Sequence, residues 1–210
     1  MAGQYAYSVF PVGMLETNCY MIRNTQSGEP ILIDPGDDGE KLSEACRASG
    51  GRVCAILLTH GHHDHIQGIP ALKEAFPDLL IYAGEKEEAM LENASLNVGM
   101  GFAPMTLKAD VTVRDGESLE IAGLTFRVLE TPGHTAGSVC YYLESEGMLF
   151  AGDTLFAGSY GRTDLPTGSE ADIRKSIRRL ADSLPEETRV YPGHGGFTSI
   201  GREKAVNPLL

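Results

Sequence analysis

The chain has 210 residues, 42% of them hydrophobic, and its 17 Lys and Arg against 29 Asp and Glu give a formal net charge of −12. This length allows a substantial hydrophobic core, and we expect a single domain over residues 1–210. The acidic balance argues against a nucleic-acid interface and against binding to an anionic membrane, since both need positive charge, and no apolar run is long enough to span a bilayer.

The cysteines and the N-terminus indicate a cytoplasmic protein. Cys19, Cys46, Cys54 and Cys140 form no C-x-x-C pair and lie in apolar or mixed segments, so we expect reduced, mostly buried thiols. The segment Met1 to Phe10 lacks the basic start and the apolar run of a signal peptide.

Short apolar runs bounded by turn residues predict β-strands along the whole chain. The longest of these runs contains a turn at Ala122-Gly123. The predicted ranges are 4–10, 18–24, 30–34, 53–58, 79–83, 119–130, 137–143, 147–151 and 188–191.

Helices are predicted between these strands, at 38–49, 66–76 and 170–183. The first ends at Gly50-Gly51, which is typical of a helix C-terminus. In the second, Pro70 is compatible only with an early turn of the helix. The third begins after Ser169, and Asp172, three positions further on, resembles part of a capping box.

The segment 84–109 is less regular, since it starts with a helical pattern and loosens around Gly99 and Gly101. Elsewhere strands and helices mix from one end of the chain to the other. No proline- or serine-rich linker separates them. This mixture predicts an α/β fold.

All six histidines of the chain fall in three short motifs. Four lie in the run Thr59-His60-Gly61-His62-His63-Asp64-His65, and the other two end the Pro-Gly-His triplets at 132–134 and 192–194. Imidazole is the commonest metal ligand in proteins, and a carboxylate adds an oxygen donor. Burying such groups unpaired would be costly, so the pattern predicts a metal site.

Candidate ligands follow predicted strands through polar, glycine-containing turns. Loops at the ends of strands are where sites are usually built on a rigid sheet, so we expect these side chains to converge. The apolar runs that end at Leu58, Leu129, Ala151 and Tyr191 lead into His60, His134, Asp153 and His194 respectively.

The number of donors favours two metal ions. A single catalytic zinc needs three protein ligands, whereas two ions about 3.5–4 Å apart need more ligands and a bridging group. His60 and His62 can face one ion, Asp64 and His65 can turn toward the other, and Asp153 is the expected bridge. The full set of donors is His60, His62, Asp64, His65, His134, Asp153 and His194.

We expect two divalent metal ions, zinc in the first place, with iron or manganese as alternatives, because imidazole and carboxylate accept all three. Coordination lowers the pKa of water from about 15.7 toward 7, which supplies hydroxide at neutral pH. The expected chemistry is hydrolysis, with the carboxylates of Asp64 and Asp153 as the catalytic residues.

The order of these motifs resembles the metallo-β-lactamase superfamily. Thr-His-x-His-x-Asp-His, Pro-Gly-His-Thr, Gly-Asp and Pro-Gly-His match in order from residue 59 to residue 194, and Asp34-Pro35-Gly36 also fits. The resemblance implies a four-layer αββα sandwich, with two mixed sheets flanked by helices and the metals at one edge. It implies His60, His62 and His134 as ligands of the first metal, Asp64, His65 and His194 as ligands of the second, Asp153 as the bridge, and His63 as a non-ligand.

Within that superfamily the chain is similar to the small, single-domain type II glyoxalases, or hydroxyacylglutathione hydrolase-like proteins. The segments that carry this similarity are Gly161-Arg162-Thr163-Asp164, Pro192-Gly193-His194-Gly195 and Asn207-Pro208. The implied reaction is hydrolysis of S-D-lactoylglutathione, or of a similar hydroxyacyl thioester, by a metal-bridging hydroxide. The implied partner is this small-molecule thioester, and the oligomeric state stays open.

One departure concerns recognition of glutathione. Larger type II glyoxalases carry a C-terminal helical domain that helps to hold it, and only 16 residues follow His194 here, so we expect that domain to be absent. Arg162 is then a candidate substrate-binding residue, as an anion contact. An ion pair between Arg162 and Asp164 is an equally good interpretation.

Two other classes of function are weighed against the hydrolase. A persulfide dioxygenase has a similar Gly-Arg-Thr-Asp segment and holds a single iron through two His and one Asp, which His134, Asp153 and part of the first cluster could supply. The Pro-Gly-His-Gly sequence around His194 favours the hydrolase. A catalytically silent metal scaffold would need a blocked coordination position, and nothing in the sequence suggests one.

Overall fold

Two six-stranded β-sheets form the centre of the structure, a computed structural model that describes residues 5–97 and 104–210. In chain order the strands are β1 (Tyr5–Val12), β2 (Thr17–Asn24), β3 (Pro30–Ile33), β4 (Ala55–Leu57), β5 (Leu80–Gly84), β6 (Val111–Val113), β7 (Ser118–Ile121), β8 (Leu124–Glu130), β9 (Val139–Leu143), β10 (Met148–Gly152), β11 (Leu155–Phe156), β12 (Ser159–Tyr160), β13 (Arg189–Pro192) and β14 (Thr198–Ser199).

Both large sheets are mixed. The first has the order β1-β2-β3-β4-β5-β6, in which β1, β2 and β3 pair antiparallel and the pairs from β3 to β6 are parallel. The second has the order β14-β13-β10-β9-β8-β7, with a parallel pair only between β10 and β13. Strands β8, β10 and β13 therefore run in the same direction and end at the same edge. Strands β11 and β12 form a small hairpin beside them.

Helices cover the outer faces of the sheets and form part of the connections. They are α1 (Gly39–Ala48), α2 (His63–Ile66), α3 (Ile69–Ala75), α4 (Glu88–Leu91), α5 (Glu170–Ser183) and α6 (Ile200–Val206), with short 3₁₀ turns at Glu85–Glu87 and Glu144–Glu146. None of the helices in the described part of the chain has the length and hydropathy that crossing a bilayer requires.

The period of two along each strand explains the layers. In β3, Ile31 and Ile33 pack into the core between the two sheets, whereas Leu32 points the other way and packs with Leu42 of α1. The second sheet does the same, since Leu149 packs outward against α5 and Phe150 inward. Two buried faces on each sheet give the four-layer αββα sandwich that the resemblance to the superfamily implies.

The structure confirms several features that short sequence motifs predict. The Ser169 hydroxyl accepts a hydrogen bond from the Asp172 amide at 3.3 Å, so α5 begins with the predicted cap. The turn between β7 and β8 has φ of +51° at Ala122 and +74° at Gly123, which suits a two-residue hairpin. The four cysteines are free, and three of them are buried.

The predicted helix 66–76 is wrong as a continuous element. The structure has α2 and α3 instead, separated at Gln67-Gly68. The Gly68 amide donates to the carbonyl of Pro35 at 2.9 Å, so it is not available to continue a helical ladder. Pro70 lies in the first turn of α3, as expected.

The segment 84–109 does begin with helical turns, in the 3₁₀ turn and α4, and the positions Gly99 and Gly101 lie outside the described residues. The predicted elements do not include β6, β11, β12, β14 and α6. These elements are too short, or too polar, to show a hydrophobic period.

Candidate metal centre

The predicted ligands lie where strands end at one edge of the sandwich. His60 and His62 follow β4, and α2 begins directly afterwards, so that Asp64 and His65 project from a single helical turn. On the second sheet His134, Asp153 and His194 follow β8, β10 and β13, the strands that end together. The structure brings all seven predicted donors together from the two sheets.

The donors form three sets whose atoms lie within 4.8 Å of one another, and the set of His60, His65 and Asp153 shares one member with each of the other two. We call His60, His62 and His134 the three-histidine group, and Asp64, His65 and His194 the mixed group. In the three-histidine group, Nδ1 of His62 and Nε2 of His134 are 2.8 Å apart. In the mixed group, Nε2 of His194 lies 3.2 Å from Oδ2 of Asp64.

Asp153 lies between the two groups. Its Oδ2 is 3.5 Å from Nε2 of His134 and 3.5 Å from Nε2 of His194, and its Oδ1 is 3.5 Å from Nε2 of His65. A carboxylate that reaches members of both groups is in the position that a bridging ligand requires. The geometry therefore agrees with the role expected of Asp153, whose metal binding stays a prediction.

Four of the imidazoles have a polar partner on Nδ1, which leaves Nε2 for the centre. Outer partners of this kind orient metal-binding histidines and fix their tautomer. The pairs are His60 with the Thr59 hydroxyl at 3.1 Å, His65 with Asp34 Oδ2 at 3.0 Å, His134 with the Arg162 carbonyl at 2.7 Å, and His194 with the Leu15 carbonyl at 3.1 Å.

The residues fit a pair of cations. Nε2 of His60 is buried and has no hydrogen-bond partner among residues 5–97 and 104–210. A buried polar atom without a partner is costly, and a metal ion bound there would remove that cost. Neutral imidazoles and carboxylates are also the donor set that zinc, iron and manganese accept.

Charge differs between the two groups. Burial, reinforced by the neighbouring imidazoles, lowers the pKa of His60 well below its usual value and that of His62 to about 3. Burial would also lower the pKa of His65, but the carboxylates of Asp34 and Asp153 outweigh it and raise that pKa well above its usual value. His60 and His62 are therefore neutral at pH 7, and His65 holds a proton in the absence of metal.

Acid should destabilise the metal-free protein through His62. Its pKa in the folded chain is lower than the usual 6.5, so the stability that the neutral ring confers is complete above pH 6.5 and is lost as the pH falls toward about 3. Between pH 6.5 and 5.0 we expect the free energy of unfolding to fall by about 2 kcal/mol more in the wild type than in His62→Gln. Urea titrations of both metal-free proteins measure this, and equal losses would contradict it.

Arg162 contacts the candidate metal centre through its main-chain carbonyl. Its guanidinium forms a two-pronged ion pair with Asp164, at 2.7 and 2.8 Å, which is the second of the two interpretations given to it above. Its carbonyl accepts the hydrogen bond from His134. The segment 161–164 thus supports a candidate ligand, and substrate binding by the Arg162 side chain stays a prediction.

Two further carboxylates near the centre are not among the predicted site residues. Asp34 accepts hydrogen bonds from the amide and the hydroxyl of Thr59, at 2.8 and 2.6 Å, and lies beside His65. Asp34 follows β3 just as the ligands follow their strands, and that signal could have identified it. Glu87 is 1% exposed, and burial raises its pKa to about 7. It lies in the charged run 85–88, where nothing distinguishes it from a solvated residue.

Comparison with known protein families gives one matching model, that of the metallo-β-lactamase superfamily, over residues 12–194. Among curated proteins, a probable metallo-hydrolase of Bacillus subtilis is 36% identical over 203 residues, which is 95% of this chain and 95% of the relative. The hydroxyacylglutathione hydrolase GloC of Haemophilus influenzae is 32% identical over 205 residues, with 96% of each chain covered.

Solved structures show the same fold. BLEG-1, described as a B3 metallo-β-lactamase, superposes with a TM-score of 0.91 at 39% identity, covering 98% of this chain and 99% of that one. TTHA1623, solved in a di-iron-bound form, gives a TM-score of 0.85 at 38% identity, with 97% and 100% covered. ETHE1 from Myxococcus xanthus gives 0.78 at 30% identity, with 97% and 83% covered.

Proposed function

The chain belongs to the metallo-β-lactamase superfamily, and on that premise we propose that it is a metal-dependent thioester hydrolase. The substrate we propose is S-D-lactoylglutathione or a similar hydroxyacyl thioester. The observation that carries the proposal is the position of Asp153 between the three-histidine group and the mixed group, because seven donors in this arrangement suit two ions. The relative named GloC supports the choice of substrate.

The two groups of side chains would hold the two ions, with Asp153 as the shared ligand. Bound divalent metals lower the pKa of water and polarise carbonyl oxygens. His60 and His62 offer neutral nitrogens because burial keeps them unprotonated. In the mixed group, Asp64 accepts a hydrogen bond from the Thr17 hydroxyl at 3.2 Å, which fixes the carboxylate.

Thioester cleavage makes modest demands on the remaining residues. A thiol with a pKa of about 8.5 leaves as the thiolate, so the site needs no dedicated proton donor for the leaving group. The carboxylates at the centre could not act as proton donors in any case. Burial opposes ionisation of Asp64 and Asp153, but the neighbouring imidazoles outweigh it and lower the pKa of both carboxyl groups. Both carboxylates are ionised at neutral pH and act as acceptors and ligands.

The alternative of a mononuclear-iron persulfide dioxygenase remains the competing proposal, and the likeness to ETHE1 is the observation in its favour. It would use three donors and leave the mixed group without a role. The purified protein separates the two activities when its metal content is measured beside two assays.

We expect two metal ions per chain and loss of S-D-lactoylglutathione, followed by the absorbance of the thioester. We expect no oxygen uptake with glutathione persulfide. One iron per chain with oxygen consumption would overturn the hydrolase proposal. Removing the metals with a chelator serves as the control, since it should stop thioester loss and readdition of zinc should restore it.

A further inference from the structure

Glu87 links the two loops that supply the three-histidine group. It ends the 3₁₀ turn that follows β5 of the first sheet, next to β4, and its side chain is buried. Its Oε1 accepts a hydrogen bond from the Gly61 amide at 2.8 Å. Its Oε2 accepts from the Thr135 hydroxyl at 2.9 Å and from the Gly137 amide at 3.0 Å.

These donors are next to the candidate ligands in sequence. Gly61 lies between His60 and His62, and Thr135 follows His134. One carboxylate therefore joins the first-sheet loop with two of the histidines to the second-sheet loop with the third. Three hydrogen bonds to one buried side chain tie the two loops together, so the spacing of the loops depends on it.

The backbone at this junction leaves no room for adjustment. A Cβ atom at Gly137 would lie 2.2 Å from the Glu87 amide nitrogen and 2.5 Å from Glu87 Oε2. The Val139 amide of β9 also donates to the carbonyl of Thr59, which follows β4, at 2.8 Å. This hydrogen bond joins the two sheets beside Glu87. Glu87 is held from both sides, so its carboxylate acts as a fixed spacer.

The mixed group is held by different contacts. Asp34 lies against His65, the Thr17 hydroxyl against Asp64, and the Leu15 carbonyl against His194. These partners come from β2, from the turn before it and from the end of β3. Glu87 makes none of these contacts, whereas Asp34 reaches both groups, since it lies beside His65 and also accepts hydrogen bonds from Thr59, the partner of His60.

We propose that Glu87 is a positioning residue that sets the metal affinity of the three-histidine group and leaves that of the mixed group unchanged. The inference rests on the metal centre assigned under the proposed function, but it does not depend on the substrate. Loss of an outer partner of a metal site commonly weakens metal binding about 10- to 100-fold.

Zinc affinity measured in two backgrounds tests this directly. His194→Ala leaves the three-histidine group intact, and His134→Ala leaves the mixed group intact. Competition with a chromophoric chelator gives the zinc dissociation constant of each, with and without Glu87→Gln. We expect Glu87→Gln to weaken zinc binding about 10- to 100-fold in the His194→Ala background and less than about 3-fold in the His134→Ala background.

Glu85→Gln is the matched control, since Glu85 lies in the same 3₁₀ turn but pairs at the surface with Arg114. It should change neither constant. If Glu87→Gln does not fold, Thr135→Val removes one donor with little change of shape and should weaken zinc in the His194→Ala background alone. Equal weakening in both backgrounds, or none in either, would overturn the proposal. A failed thioesterase assay would not affect this result.

Discussion

Replacing His134 by Ala should abolish thioester hydrolysis while leaving the fold in place. The side chain lies in a loop at the end of β8, and its Nε2 faces His62 Nδ1 at 2.8 Å. Loss of an outer partner of a metal ligand already costs up to about 100-fold, so we expect the loss of a ligand to cost at least that much in kcat/KM. Metal analysis should show one ion per chain in place of two.

The control for this variant is His63→Gln, because His63 occupies the position of the motif that we predict not to bind metal. It should keep two ions per chain. Circular dichroism of both variants should match that of the wild type. Near-normal turnover in His134→Ala would rule out the assignment of the ligands.

Gly193→Ala should disable the centre without removing a single donor. A Cβ atom at this position would lie 2.2 Å from Oδ1 of Asp153 and 2.8 Å from Cε1 of His65. The glycine cannot retreat, because its amide donates to the Gly152 carbonyl at 2.8 Å and its carbonyl accepts from the Asn18 amide at 2.7 Å. Either Asp153 is displaced or the strand ends separate, so we expect activity to fall by at least about 10²-fold.

Gly196→Ala provides the matched control, since a Cβ atom there meets nothing within 4 Å. It should retain full metal content and activity. Overpacking of this kind typically costs about 1–3 kcal/mol, so Gly193→Ala should also unfold at a lower temperature, as thermal denaturation would show. A Gly193→Ala protein with normal metal content and turnover would mean that Asp153 does not need its present position.

The candidate ligands can be predicted from the sequence because they lie in short motifs whose residue types are typical of metal sites. Residue type and spacing alone predict a metal site from the run His60 to His65 and the two Pro-Gly-His triplets. The apolar run Ile31-Leu32-Ile33 predicts a strand, although only the structure shows that one face meets the other sheet and the opposite face meets α1.

The residues that orient the ligands are harder to find because their contacts are long-range. Glu87 meets Gly61 across 26 positions and Gly137 across 50, and no period in the sequence encodes such a pair. The break between α2 and α3 has the same origin, since the Gly68 amide bonds to the distant Pro35 carbonyl. Local propensity fails where a tertiary hydrogen bond competes with the helical one.

The division of the chain has a consequence for how the centre comes into being. Strands β1 to β6 make the first sheet, and every strand of the second sheet comes later in the chain. The first portion brings four of the candidate donors and the second portion three, so neither portion contains the complete set. The protein can therefore bind its full set of metal ions only after both sheets have folded and packed together in the correct alignment. Metal content is then a measure of correct assembly of the two consecutive halves of the chain.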